Sequence, residues 1–379
     1  MNLGLRLERL LSVGSIVADI RIDVPHLPPR GGDVLASTAS ISAGGGFNVL
    51  AAAVRNRLPG VFGGRHGTGP YGARIRADPA RENIATLFAP SSRGDSGFCV
   101  VMVEPDGERT FITSPGVEAQ VATNALDDLD IRPTDAVFVS GYDLGYPLLG
   151  GEIARWIGLW TVDALLVVDP GPLVAEIPRD IFDAALARAR VLTLNRREAA
   201  LFAGTDDVRR IAGLALPRLQ AGALLVVRDG PEGCLLFGAG LSDSPVHVGA
   251  PSVRAHDSTG AGDAHTGVLI AALAAGFDPI SAATRANAAA AISVTRRGPA
   301  TAPTRTELDA FMAKWSRAAA DLLQQHQQTQ QTRVQPLTTG AENHDNSHQP
   351  QKLPRHIWRR ARNGSVRDGR AWGRPRSGH

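Results

Sequence analysis

The segment Asp257-Ser258-Thr259-Gly260-Ala261-Gly262-Asp263 runs straight into an apolar stretch from Ala264 to Ala275. A glycine-rich turn therefore opens a helix and sets an aspartate in its first turn. The first amides of a helix lack intrahelical partners and carry partial positive charge, so they hold anions. An acid at that place can take a proton while the amides beside it hold negative charge. Phosphoryl transfer to a hydroxyl needs both. An unperturbed aspartate, with a pKa of about 3.9, is a weak base, but it suffices where the proton leaves late.

A second constellation is Ala43-Gly44-Gly45-Gly46-Phe47-Asn48, leading into a helix over Val49–Arg55. Three glycines let a ligand approach the backbone closely, and Asn48 can both donate to and accept from a sugar hydroxyl. A third is Asn195-Arg196-Arg197-Glu198, which follows an apolar strand. Asn195 and Glu198 share one face of a starting helix. They suit Mg²⁺ carried beside phosphates, and they equally suit a capping box. Gly67-Thr68-Gly69-Pro70-Tyr71-Gly72 satisfies G-x-G-x-x-G. A dinucleotide site requires a preceding strand, a helix opening and an acid about 20 residues on, and residues 85–95 offer only Asp95, behind a Pro-Ser-Ser loop. No G-x-x-x-x-G-K-[ST] loop is present.

Something must hold these residues together. Val137–Ser140, Ala164–Val168, Val191–Leu194 and Leu224–Val227 are apolar and β-rich, and helical patterns (Glu152–Leu159, Ile181–Ala189, Val208–Leu219) lie between them. The alternation predicts an α/β fold with a mostly parallel sheet and helices on both faces. Ligands in such sheets bind at the carboxyl ends of the strands. The candidate walls are therefore Gly141-Tyr142-Asp143, Asp169-Pro170-Gly171, Asn195 and Arg228-Asp229-Gly230. The run Leu10–Ala18, preceded by Arg6 and Arg9, reads as a first buried strand that Asp19 and alternating Ile20, Ile22 and Val24 continue, and not as a signal peptide. Asp33–Ile41 and the hairpin Phe98–Val103 and Thr110–Thr113, turned at Asp106-Gly107, read as a small β lid that excludes water from a reactive phosphate. Pro79 predicts an early end to the helix after Gly72, because proline inside a helix costs about 3 kcal/mol.

The 379-residue chain carries a net charge of +3 that is unevenly spread. Residues 324–379 hold ten Lys/Arg and three Asp/Glu, which leaves the rest of the chain acidic. The basic character is no argument for nucleic-acid binding by the folded part. Seven of the twelve residues Gln324–Gln335 are glutamine, and the segment 324–379 reads as a disordered tail. Its Arg355, Arg359, Arg360, Arg362 and Trp358 are the only RNA-binding candidate, with salt-dependent binding lost on truncation near residue 320 as its signature. Cys99 and Cys234 form no disulfide framework or metal spacing, which suits a reducing cytoplasm. The apolar run Gly267–Gly276 is shorter than the roughly 20 residues a membrane span needs.

Together these motifs resemble the PfkB/ribokinase family of carbohydrate kinases, from about Leu11 to Leu308. Gly44–Asn48 is similar to its N-terminal signature, Asp257–Asp263 to its C-terminal signature, and Asn195-x-x-Glu198 to its magnesium motif. Glu104–Phe111 and Ser140-Gly141-Tyr142 resemble a poorly characterised bacterial sugar kinase branch. The resemblance implies a ribokinase-like three-layer sandwich over 1–315, with lid segments at about 20–42 and 96–114. It implies ATP-dependent transfer of the γ-phosphoryl group to a small sugar.

By the same resemblance Asp263 is the catalytic base, and Gly260, Ala261 and Gly262 form the anion hole. Asp19, on a turn after the first strand, holds the acceptor with Gly44, Gly45, Asn48 and Asp143. Asn195, Arg228, Gly230, Gly233 and Asn287 border the nucleotide, with Asn287 beside adenine. Glu198 serves Mg²⁺, and Asp257 and Thr259, with backbone oxygens around Thr295–Thr304, resemble a K⁺ site. A homodimer paired through the lid is also implied. Val17 stands where ribokinases carry an asparagine two residues before the sugar-binding aspartate, which points away from ribose. A nucleoside kinase using Phe47 and Tyr142 to stack a base, and a catalytically silent sugar- or nucleotide-sensing protein, are the competing readings.

Overall fold

The chain was described by a computed structural model covering residues 6–242 and 244–317. The basic tail expected from residue 324 lies outside the described residues. Among the described residues thirteen strands form two sheets. They are β1 (Arg9–Ser12), β2 (Ala18–Asp23), β3 (Thr38–Ala43), β4 (Gly60–Phe62), β5 (Ala85–Thr86), β6 (Phe98–Val103), β7 (Arg109–Ser114), β8 (Asp135–Ser140), β9 (Leu165–Asp169), β10 (Ala189–Asn195), β11 (Leu224–Arg228), β12 (Cys234–Gly238) and β13 (Val246–Val248). The helices include α1 (Gly46–Arg55), α2 (Pro70–Arg81), α3 (Gly141–Gly145), α4 (Pro147–Gly158), α5 (Arg179–Arg188), α6 (Arg196–Ala203), α7 (Val208–Ala215), α8 (Ala261–Ala274) and α9 (Pro279–Val294).

The large sheet runs β13-β12-β11-β10-β9-β8-β1-β4-β5. Its pairs from β11 through β5 are parallel, and β12 and β13 are added antiparallel at one edge. Successive side chains of a strand point to opposite faces, and here both faces are covered. Leu11, Val137, Val139, Leu166, Val168, Leu192 and Val227 pack with Ile153 and Trp156 of α4 and Ile211 of α7. Leu10, Ala136, Phe138, Leu165, Val167, Val191 and Val226 pack with Leu50 of α1, Leu269 of α8 and Ala286 of α9. The near-continuous apolar strands of the sequence are therefore the middle layer of three, as parallel strands buried on both sides must be. The strand pairings bring Ser140 opposite Asp169 and Asn195 opposite Arg228, so the predicted walls share one edge of the sheet.

The second sheet, β3-β2-β6-β7, is the lid. Its β6–β7 hairpin turns where expected, with Gly107 at φ 88° and Glu104 N–H bonded to Glu108 O. Three local expectations need correction. The segment from Leu10 to Val24 is not one strand: β1 ends at Ser12 and the chain crosses to the lid sheet at Ala18. Asp19 thus lies inside β2, paired with Ser42 and Cys99, and not on a turn. The strand expected from Asp33 begins only at Thr38. Finally, α2 does not stop short of Pro79 but runs to Arg81 with that proline inside. Pro79 falls in the last turn, where its carbonyl still accepts from Glu82 and Ile84. The proline lacks the N–H that would bond Ile75 O one turn back, and its ring crowds that carbonyl.

Candidate active site

Asp263 occupies the first turn of α8, whose N-cap is Gly260 at φ 70°. Only glycine fits there: a Cβ at Gly260 would also lie 1.9 Å from Pro299 O. Of the first-turn amides, that of Ala261 bonds Ser258 O at 3.3 Å, which leaves those of Gly262 and Asp263 without intrahelical partners. Asn48, one turn into α1, donates from Nδ2 to Asp263 Oδ2 at 2.9 Å. The two glycine-rich signatures, more than two hundred residues apart, therefore meet through the proposed base. Asn48 is buried, and its Oδ1 has no partner among the described residues.

Burial pushes the Asp263 carboxyl up to about 6; the Asn48 bond opposes the shift, Asp169 adds to it, and Arg228 opposes it. Asp263 is thus a stronger base than a solvated aspartate, while remaining mostly ionised at neutral pH. Asp19 reaches the same place from the lid. Its carboxylate lies over Gly44, where a Cβ would come within 2.0 Å of Asp19 Oδ2. Burial, together with the nearby Asp263 charge, raises Asp19 to about 7. Two carboxylates and an open pair of amides converge on one cleft.

Raised Asp19 makes a prediction about stability. Its ordinary value is 3.8 and its folded value about 7, so the folded state binds the proton more tightly. The associated stability is present at low pH and is lost as pH rises through 7. Asp19→Asn is expected to melt above the wild type near pH 8, by the equivalent of a few kcal/mol at most, and to match it near pH 4. Scanning calorimetry at the two pH values checks this; equal melting near pH 8 would contradict it.

Behind the base lies a buried charge cluster. Arg228, at the end of β11, donates from Nη1 to Asp169 Oδ2 (2.7 Å), Thr266 Oγ1 (3.2 Å) and Gly262 O (3.3 Å), and from Nη2 to Glu198 Oε2 (3.4 Å). It ties β9, β11, α6 and α8 together beneath the anion-holding turn. Glu198 and Asn195 form the capping box that the sequence allowed. Asn195 donates from its backbone N–H and Nδ2 to the Glu198 carboxylate at 2.7 and 2.6 Å, and Glu198 N–H returns a bond of 2.8 Å to Asn195 Oδ1. Burial raises Glu198, Asp169 raises it further, and Arg228 opposes both. A capped Glu198 still has lone pairs for ordered water. Mg²⁺ beside phosphates typically uses one or two carboxylates and keeps several waters, so the donor set fits a metal carried in on a triphosphate. Among the described residues no group of three or more His, Cys, Asp or Glu is disposed to cage a metal.

Several expected site residues stand elsewhere. Asp143 is only 2% exposed. Its oxygens accept from Ser15 N–H and Oγ (2.7 and 2.8 Å) and from Ser140 N–H and Oγ (3.1 and 2.7 Å). It clamps the loop after β1 to the end of β8 and is not open to an acceptor. Arg228 is held by protein partners through Nη1 and Nη2 and braces the anion-holding turn. Gly230 (φ 57°) and Gly233 (φ 96°) shape the turn between the antiparallel β11 and β12. Asn287 is buried and donates from Nδ2 to Val248 O at 2.8 Å, so it braces β13. Phe47 is packed in the core and cannot stack, whereas Tyr142 is 40% exposed. The G-x-G-x-x-G helix start is filled by its own protein: Asp95 accepts from Tyr71 N–H at 2.9 Å and Gly72 N–H at 2.7 Å.

Asp257 and Thr259 are also differently engaged than expected, being bound to two arginines of the lid, Arg21 and Arg109. Neither arginine was singled out from the sequence. A usable signal existed for Arg21: it is two residues after Asp19 in a strand and so projects from the same face. Thr266, one turn beyond Asp263, and the full role of Asp169 were visible only in three dimensions.

The family model described as pfkB family carbohydrate kinase matches residues 7–307. An uncharacterized sugar kinase of Escherichia coli, YegV, is 32% identical over 308 residues, spanning 79% of this chain and 93% of that protein. Among solved structures, Arabidopsis thaliana ribokinase complexed with ribose and ATP is similar with a TM-score of 0.66 and 22% identity, over 80% of this chain and 98% of that one. An Escherichia coli structure solved with ATP and Mg²⁺ is similar with a TM-score of 0.65 and 22% identity, over 81% of this chain and all of that one.

Proposed function

Because the chain belongs to the pfkB family of carbohydrate kinases and is an ATP-dependent sugar or nucleoside kinase, we propose that its acceptor is a small sugar and that Asp263 is the base. What carries this is the meeting of Asp19, Asn48 and Asp263 at the open amides of α8. The acceptor hydroxyl is held between Asp19 and Asp263. Asp263 takes its proton as the hydroxyl oxygen forms a bond to the γ-phosphorus. The bond from that phosphorus to the β–γ bridging oxygen breaks, and ADP leaves with the electron pair. The Gly262 and Asp263 amides hold charge on the moving phosphoryl group. Glu198 would hold Mg²⁺ beside the phosphates, where the metal would neutralise their charge. Asn48 keeps the base aimed, and the lid excludes water.

A second reading, a nucleoside acceptor, is favoured by one observation, the half-exposed Tyr142 ring at the end of β8. A panel of pentoses, hexoses and nucleosides with Mg–ATP, read by ADP release, separates the two. ADP release with sugars and none with nucleosides is expected; turnover of a nucleoside alone would overturn the sugar assignment.

Pairing through the lid belongs to the same proposal. The strand pairings align Ile41, Ile20, Val100 and Ile112 in one apolar row across β3, β2, β6 and β7, on the face opposite Asp19, and Ile41 and Ile112 are exposed. A monomeric mass in light scattering would remove it. A cytoplasmic location is supported by two free, buried thiols, and recovery in a secreted fraction would contradict it. No helix among the described residues is long and apolar enough to cross a membrane.

A further inference from the structure

Asp257 opens the anion-holding turn, and its carboxylate accepts from three N–H donors. Oδ1 accepts from Thr259 N–H at 2.9 Å. Oδ2 accepts from Gly298 N–H at 3.1 Å and from the Arg21 guanidinium. A second guanidinium, that of Arg109, stands 3.9 Å from Oδ1, and it donates to Thr259 Oγ1 at 2.8 Å and to Ser258 Oγ at 3.0 Å. Both arginines come from the lid, Arg21 from β2 and Arg109 from β7. The backbone of Asp257 is tied to Val294 O at 3.1 Å, so the carboxylate joins three segments: the turn before α8, the loop after α9 and the lid.

A bound K⁺ does not fit these residues. It would need the Asp257 carboxylate, which already accepts three N–H donors, and it would sit against two fixed positive charges. A like charge in a partly buried site is costly.

We propose that the guanidinium of Arg21, with Arg109 beside it, does the work of a monovalent cation at Asp257, so that this kinase orders its anion-holding turn without K⁺. The placement also couples that turn to the acceptor. Arg21 and Asp19 project from the same face of β2, so a lid position that brings Asp19 over Gly44 also brings Arg21 onto Asp257. Lid closure would thereby set the amides of Gly262 and Asp263 at the moment the acceptor is held. Arg21 is a positioning residue: it acts through Asp257 and not on the reacting atoms.

The inference rests on the kinase reading for its nucleotide arm only. Melting temperature and calorimetric binding of Mg²⁺–adenylyl imidodiphosphate are compared in KCl and in tetramethylammonium chloride at equal ionic strength. For the wild-type protein both quantities should be the same in the two salts. Arg21→Ala should melt lower in tetramethylammonium chloride and bind the nucleotide about tenfold more weakly, equivalent to ~1.4 kcal/mol. KCl should restore much of both losses, because a cation that binds only the folded state stabilises it by mass action. Arg21→Lys, which keeps the charge, should remain indifferent to K⁺. Should Arg21→Ala not fold, Arg21→Gln, which keeps most of the side-chain bulk, takes its place.

A K⁺-specific gain in the wild-type protein overturns the proposal. So does an Arg21→Ala or Arg21→Gln protein that K⁺ does not help. If wild-type protein binds no nucleotide in either salt, the kinase reading fails, while the melting comparison still decides the cation question.

Discussion

Asp263→Asn is expected to lower kcat by at least about 10²-fold and to leave KM for ATP little changed, the scale of losing a general base. The variant is a sharp probe because it preserves geometry. The new amide oxygen can still accept the bond from Asn48 Nδ2 that now ends on Asp263 Oδ2. What it cannot do is take the hydroxyl proton. The pH dependence supplies a second reading of the same residue. Burial, the largest influence, raises the Asp263 carboxyl to about 6, so wild-type kcat/KM should fall as pH drops through that value. The residual activity of the variant should lose this limb. Steady-state kinetics with the sugar identified by the acceptor panel measures both, and near-normal turnover of Asp263→Asn would refute the assignment.

Arg228→Met is expected to destabilise the protein by about 3–5 kcal/mol, the usual consequence of removing one partner from a buried charge cluster. Two carboxylates depend on this guanidinium: Asp169, bonded at 2.7 Å, and Glu198 at 3.4 Å. Their side chains are at least as buried as that of Arg228 itself. The loss would come mainly from stranding those charges and much less from the packing that methionine keeps. It follows that adding Asp169→Asn to Arg228→Met should recover part of the stability in urea unfolding. A double variant no better than the single one would show that packing and not charge is at stake. Activity should fall as well, since Arg228 holds Gly262 O and Glu198 in place.

The arginine also shows where sequence reasoning stops. Its position at the end of a strand marked it as a candidate wall of the site. Whether it faces a ligand or the protein depends on what stands opposite. Asp169 and Glu198, from 30 to 59 residues away in the chain, claim its donors. Asp143 failed in the same way: a carboxylate at a strand end looked available, yet four donors from Ser15 and Ser140 enclose it. Asn287 and Phe47 were likewise drawn inward by neighbours that no local pattern reveals. The G-x-G-x-x-G turn was rightly set aside, although the acid that fills it, Asp95, acts as a helix cap rather than failing as a ribose ligand.

Pattern and local chemistry alone determined the layered architecture, because strands that are apolar at every position must be covered on both faces. They also determined that a glycine turn followed by an acid at Asp263 opens a helix, since only that backbone leaves amides free beside a base. The capping box at Asn195 and Glu198 and the hairpin at Gly107 were equally local and equally legible. Tertiary structure decided which of these features face one another: Asn48 onto Asp263, Asp19 over Gly44, and the lid arginines Arg21 and Arg109 onto Asp257. It also decided the strength of the base, because the charge on a carboxylate is governed by how much water and which partners surround it. Spacing along a chain fixes what a residue can do; only the approach of distant segments fixes what is left for it to do.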